Sequence, residues 1–248
     1  MKHRRLLRLL ALLAALGLLL YLGWMICSAG RWGRDQVCRG LIVSIQADKN
    51  GSFISEAEVR DDLRRAGLLP AGHLLRNVNT AKIESLLMKN GMIDQAHVYK
   101  TPSGNVRIDL IQKTPILHVM SVTGDFYVDS RGGLMPVSRS VALDLPLVTG
   151  YVEKRLATTD LYEFALFLRQ DEFWNNQIEQ ICVLPDQEIE LVMRVGEMRV
   201  LLGTLDDFRE KLANLRLFYE QAIPKVGWNK YSLINLKYKN QVVCTRKQ

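Results

Sequence analysis

Four histidines (His3, His73, His97, His118) and four cysteines (Cys27, Cys38, Cys182, Cys244) are the first places to look for chemistry in this chain. No two cysteines form a C-x-x-C pair, and no histidine stands at ligand spacing from any of them, so no zinc site is read. The G-x-S-x-G elbow, the Walker loop, G-x-G-x-x-G and H-E-x-x-H do not occur. His97 and His118 fall in β-patterned stretches, where packing or surface placement is the simpler role. Asp129 stands just before Gly132-Gly133, and an Asp with glycines is hairpin-turn chemistry: local hydrogen bonds and a positive φ. The paired acids Asp171-Glu172 and Asp206-Asp207 sit near predicted helix ends, where the macrodipole or solvent accounts for them. The expectation is no catalytic residue, no cofactor and no small-molecule substrate. An envelope glycan hydrolase, the enzyme alternative, needs a paired-carboxylate cleft that the sequence does not display.

The remaining route is binding, and the elements decide where. Leu9–Ile26 is an uncharged run of 18 residues. As a helix it covers about 27 Å at 1.5 Å per residue, close to the roughly 30 Å of a bilayer core. It is long for a signal-peptide core of about 7–15 residues, although Cys27 and Ala29 are small enough to permit cleavage. The reading is a single retained anchor. Lys2, Arg4, Arg5 and Arg8 on one side, against Arg31, Arg34, Arg39 and Asp35 on the other, favour a cytoplasmic N-terminus only slightly. These flanks also explain the net charge of +7, because they leave about +1 for the rest of the chain. A basic patch for nucleic acid is therefore not expected. In an oxidising compartment Cys182–Cys244 is one conceivable bridge, and two reduced core cysteines are the other reading.

Beyond a polar linker over residues 27–40, Leu41–Gln46 reads as a strand. Asp48-Lys49-Asn50-Gly51 reads as a turn, since Phe53 and Val59 stand where a calcium loop needs Gly and Glu. Ser55 and Glu58 form a capping box that opens a helix with Val59 and Leu63 on one face. A second helix starts near Asn79 and stops at Asn90-Gly91. Strands Gln95–Lys100 and Val106–Ile111 follow, joined by a Pro/Gly turn. After about Ile116 come a strand–turn–strand at 126–137, a helix over about 159–169, and strands at 178–184, 188–195 and 198–202. A helix opens at Thr204, and Tyr231–Cys244 supplies the final strand or strands. The fold class is α+β: one membrane helix, a small βααββ unit, then a mixed domain with a largely antiparallel sheet.

The βααββ order, with the junction Asn90-Gly91-Met92-Ile93-Asp94 and Lys113-Thr114-Pro115 after its last strand, resembles a POTRA domain. Tyr127-Val128-Asp129-Ser130-Arg131-Gly132, Leu145-Pro146-Leu147-Val148-Thr149-Gly150 and Ile234-Asn235-Leu236-Lys237-Tyr238 resemble the FtsQ/DivIB family of division proteins. That resemblance implies a cytoplasmic tail (1–8), an anchor (9–26), a linker (27–40), a POTRA-like domain (41–115) and a β domain (116–248). It also implies an inner-membrane, septal location with a periplasmic bulk. The implied function is a bitopic scaffold without enzymatic activity, partnered by FtsB and FtsL and by FtsK, FtsW or FtsI types. In the family the terminal strands add a partner's strand. Carried onto this sequence, the partner-binding residues are Ile234, Leu236, Lys237, Tyr238, Lys239, Asn240 and Val242. The condition is that their strand lies at a sheet edge, with free N–H and C=O groups as a template. A POTRA-bearing translocation accessory is the remaining alternative, though no barrel-length strand series follows.

Overall fold

The computed structural model of the chain describes residues 15–25, 36–46, 51–138 and 143–247. Helix α1 covers residues 15–25 and is exposed on every side, from Leu16 and Leu18 round to Trp24 and Met25. Among the described residues no helix is long and apolar enough to cross a membrane. The tail 1–8, both ends of the expected anchor, Cys27 and most of the linker lie outside the described residues, as do Asp48, Lys49 and Asn50.

The chain divides into two compact units, one holding Leu41–Gln46 and Ile54–Gln112 and one running from Lys113 that also takes in residues 51–53. In the first, β1 (Leu41–Gln46) is followed by α2 (Glu56–Arg65), α3 (Thr80–Leu87), β2 (Ile93–Lys100) and β3 (Val106–Gln112). The capping box is present: Ser55 Oγ accepts from the Glu58 N–H while Glu58 accepts from the Ser55 N–H. Asn79 caps α3 in the same way through the Lys82 N–H. These caps satisfy helix-end donors that would otherwise be orphaned. The sheet order is β1-β3-β2, with β1 parallel and β2 antiparallel to the central β3. Val106, Ile108 and Leu110 point to one face and are buried, as are Leu63 of α2 and Ile83 and Leu87 of α3.

The second unit is one nine-stranded sheet with helices on one face. Its strands are β4 (Pro115–Ser121), β5 (Gly124–Asp129), β6 (Leu134–Met135), β7 (Leu147–Gly150), β8 (Ile178–Val183), β9 (Ile189–Met193), β10 (Arg199–Gly203), β11 (Tyr231–Asn235) and β12 (Val243–Arg246). The helices are α4 (Lys154–Thr158), α5 (Asp160–Gln170), α6 (Glu172–Gln177), α7 (Phe208–Gln221) and α8 (Ile223–Val226). Sheet order is β12-β11-β10-β9-β8-β7-β4-β5-β6. One cross-strand row explains the core: Phe126, Val119, Val148, Ile181, Leu191, Val200, Ile234 and Cys244 stand opposite one another in eight successive strands. Alternation of side chains puts this row on the face packed by Leu161, Phe164, Leu168, Leu212 and Leu215.

Two motifs have local causes. Asp129 Oδ1 accepts from the N–H groups of Arg131 and Gly133, each at 2.9 Å, and Oδ2 pairs with Lys113 Nζ at 3.0 Å. A Cβ on Gly133 would lie 2.7 Å from Oδ2, so the residue opposite the carboxylate has to be glycine. Gly150 has φ +96°, and a Cβ there would meet the Val183 carbonyl oxygen at 2.1 Å.

One expectation needs correction, and three are made definite. The helix expected at Thr204 begins at Phe208, because Asp207 takes a left-handed φ of 52° and Lys211 Nζ donates to the Thr204 carbonyl, holding 204–207 as a loop. The helix expected over 159–169 is α5, and the short α4 precedes it, separated at Thr159. The segment Tyr231–Cys244, expected as a strand or strands, holds two, β11 and the start of β12, because Asn240 at φ 57° turns the chain between them. Finally, Cys182 in β8 and Cys244 in β12 are separated by four strand spacings, about 19 Å. A disulfide needs Cα atoms roughly 4.4–6.8 Å apart, and both cysteines are free thiols.

Candidate protein-binding edge

β11 is bonded on both sides, parallel to β10 and antiparallel to β12. The strand carrying Ile234 is therefore internal, and the edge condition is met by β12. Ile234 is 0% exposed and Leu236 2%, both in the core beneath α7. They reach a partner only by holding β11 in place. The missed residues are Val243, Cys244 and Arg246. An alternation signal was lacking, because β12 is four residues long and begins directly after a turn.

The hydrogen-bond sense of β12 follows from its neighbours. Lys247 donates its N–H to the Lys230 carbonyl at 3.0 Å, and the Thr245 carbonyl accepts from Ser232 Oγ. Residues 245 and 247 thus turn their backbone groups toward β11. Alternation turns those of Cys244 and Arg246 outward, onto the open side of the sheet. Cys244 keeps its side chain on the core row, where burial pushes its thiol pKa up, so it is a packing residue and not a nucleophile.

The loop from β11 to β12 supplies the flanking surface. The Lys237 N–H donates to Asn235 Oδ1 at 3.0 Å, and its ammonium is paired with Glu188, which raises its pKa. The stem of Lys237 lies over Gly203, where a Cβ would come within 2.8 Å of Lys237 Cγ. Tyr238 is 56% exposed, and its carbonyl accepts from the Gln241 N–H to close the turn at Asn240. Lys239 is exposed, and Val242 packs part-buried against the core. Between this loop and the start of α7 is a cavity of about 200 Å³, lined by Thr204, Asp207, Lys211, Asn214, Lys237 and Asn240 among others. Burial lowers the pKa of Lys211 there, against the opposing pull of Asp206, Asp207 and Glu188. Among the described residues the arrangement is an open strand of alternate backbone groups without a partner, beside a loop that presents the exposed Tyr238 and, in Lys239, a cation without an ion pair. It suits capture of an extended segment with a neighbouring acidic group. Among the described residues no cluster of His, Cys, Asp or Glu could hold a metal ion.

A family model described as FtsQ/DivIB, C-terminal related, matches residues 114–245, and one described as a POTRA-like domain matches residues 36–111. The Cell division protein FtsQ of Rhodothermus marinus is 26% identical over 194 residues, spanning 73% of this chain and 71% of the relative. Among solved structures, the major extracytoplasmic domain of DivIB from Geobacillus stearothermophilus is 17% identical. It aligns with 46% of this chain and 97% of its own length at a TM-score of 0.31.

Proposed function

This chain belongs to the FtsQ/DivIB family, and on that premise we propose that it is a membrane-anchored division scaffold that captures a partner's strand on β12. The observation that carries the proposal is the open edge of the nine-stranded sheet at Cys244 and Arg246. An incoming strand exchanges N–H···O=C bonds with these two residues, and Lys239 faces an acidic group on the segment that leads into it. Tyr238 supplies apolar area beside that pairing. The proposed partner is the extracytoplasmic end of an FtsB-type chain within an FtsL–FtsB pair. FtsK and FtsW/FtsI types are further divisome contacts in this reading.

The exposed leucines of α1 support an anchor, because a helix that is apolar all round needs a lipid or protein surface to cover it. In this reading the tail is cytoplasmic and the bulk of the chain, with its β12 edge, is periplasmic. Anchoring concentrates weak contacts between tethered chains, which suits binding better than turnover of a soluble substrate. Depletion of the protein followed by microscopy tests the role. Filamentous, undivided cells are expected, and cells that keep dividing at normal length contradict it.

A further inference from the structure

β1 forms a border of the three-stranded sheet, and its parallel register with β3 runs unbroken from Leu41–Val106 to Gln46–Ile111. The Gly40 carbonyl accepts from the Val106 N–H, so even-numbered residues of this segment turn their backbone groups toward β3. The odd ones turn outward. Arg60 fits this sense, because its guanidinium reaches from α2 and donates to the Leu41 carbonyl at 2.6 Å. That contact occupies the first outward group. The N–H and C=O of Val43 and Ile45 are left on the open side.

Sheet borders are normally blunted by charge, proline, bulges or brevity, since an unguarded one pairs with other chains. The other borders here follow that rule. β2 has a register shift and carries Asp94 and Lys100, β12 has Arg246 with Lys247 beyond it, and β6 is two residues long. β1 has none of these: Leu41-Ile42-Val43-Ser44-Ile45-Gln46 is uncharged, regular and rich in β-branched residues. Its core-side chains are also incompletely covered. Val43 and Ile45 are half-buried, whereas Ile108 and Leu110 on the adjacent β3 are 0% and 1% exposed. One further strand would complete the layer.

We infer that β1 is a homodimer seam in which the β1 strands of two copies pair antiparallel about a two-fold axis, with Val43 opposite the second copy's Ile45 and Ser44 opposite its own counterpart. This register uses the two residues whose outward groups bond to nothing among the described residues, forming about four hydrogen bonds, and it leaves the Arg60–Leu41 contact intact. An isologous contact requires a self-complementary surface, and an uncharged strand places no like charges across the axis. Nothing on β1 offers the charge or pocket that would select a different polypeptide. Attachment of both copies to one membrane, which rests on the proposed anchor, raises their effective concentration.

The test is disulfide trapping of the full chain in its membrane. Ser44 meets itself as a non-hydrogen-bonded pair, with Cα atoms about 4.5 Å apart, within disulfide reach. Mild oxidation of Ser44→Cys is expected to double the apparent mass reversibly. Ile42→Cys, which faces Gln46 of the second copy, and the parent chain should stay monomeric. Adding Val43→Pro to Ser44→Cys removes an outward N–H without touching the bonds to β3, and should abolish the cross-link at an unchanged melting temperature. The seam is wrong if Ser44→Cys stays monomeric while folded, if Ile42→Cys cross-links equally, or if the adduct has a mass other than double. The Ser44–Ile42 contrast decides the matter even where the proline variant fails to fold.

Discussion

Ile234 and Cys244 stand opposite each other across β11 and β12, and Cys244 is the last member of a side-chain row that begins at Phe126. Ile234 is fully buried and Cys244 only partly, because the sheet stops there. The same pair separates two roles that lie close together in the sequence. β11 is core, and β12 is the border of the sheet, where the proposed strand addition takes place.

The two lysines of the connecting loop should therefore behave differently. Lys239→Glu is expected to weaken partner co-purification at an unchanged melting temperature, since the residue is exposed. Lys237→Glu should weaken it too, but with a lowered melting temperature, because it sets two carboxylates together at Glu188. Thermal melts run beside pull-downs distinguish the two.

Asp129 has a pH signature. Burial alone would raise its carboxyl pKa, but the Gly133 N–H, the Lys113 ammonium and the Arg131 N–H together bring it below the ordinary value. A carboxyl depressed in the folded state contributes stability above its unfolded pKa of about 3.9, and that contribution is lost as pH falls through the folded value. Asp129→Asn should cost about 2–4 kcal/mol at neutral pH, and the gap to the parent should close on acidification below about pH 4. Melting temperatures of both proteins across that range check the sign.

Tyr219 offers the opposite case. Its hydroxyl is buried without a hydrogen-bond partner among the described residues, and burial pushes its pKa far above the usual value. The ring packs edge-on against Trp228 at 5.2 Å, which phenylalanine preserves. Tyr219→Phe is expected to be neutral or to stabilise by about 1 kcal/mol, read from the denaturation midpoint. A loss of more than that would reveal an acceptor for the hydroxyl.

Much of the fold was legible in local signals. The Ser55–Glu58 capping box, the Asn79 cap and the alternation of Val106, Ile108 and Leu110 each stand where the structure has them, because each is decided within a few residues. The turn at Asp129 was legible for the same reason. What failed or stayed open depended on distant partners or on one backbone angle. The loop 204–207 is held by Lys211, one helical turn ahead, and the split of the last strand rests on the left-handed Asn240. Strand order was out of reach, so a bridge between Cys182 and Cys244 stayed open until four spacings separated them. The edge residues Cys244 and Arg246 were hidden because short strands carry almost no periodicity. A proline at Asn240 would moreover break the turn itself, because proline cannot adopt its positive φ. That substitution reports folding and not binding.

The most direct measurement of the strand-addition claim is a proline pair on β12, with co-purification of an FtsL–FtsB type complex as the readout. Arg246→Pro removes an outward N–H and leaves the ladder to β11 intact, so the account predicts loss of the partner from a protein that melts normally. Thr245→Pro removes an inward group and should lower the melting temperature. Full partner recovery with Arg246→Pro, in a folded protein, would contradict capture on this edge.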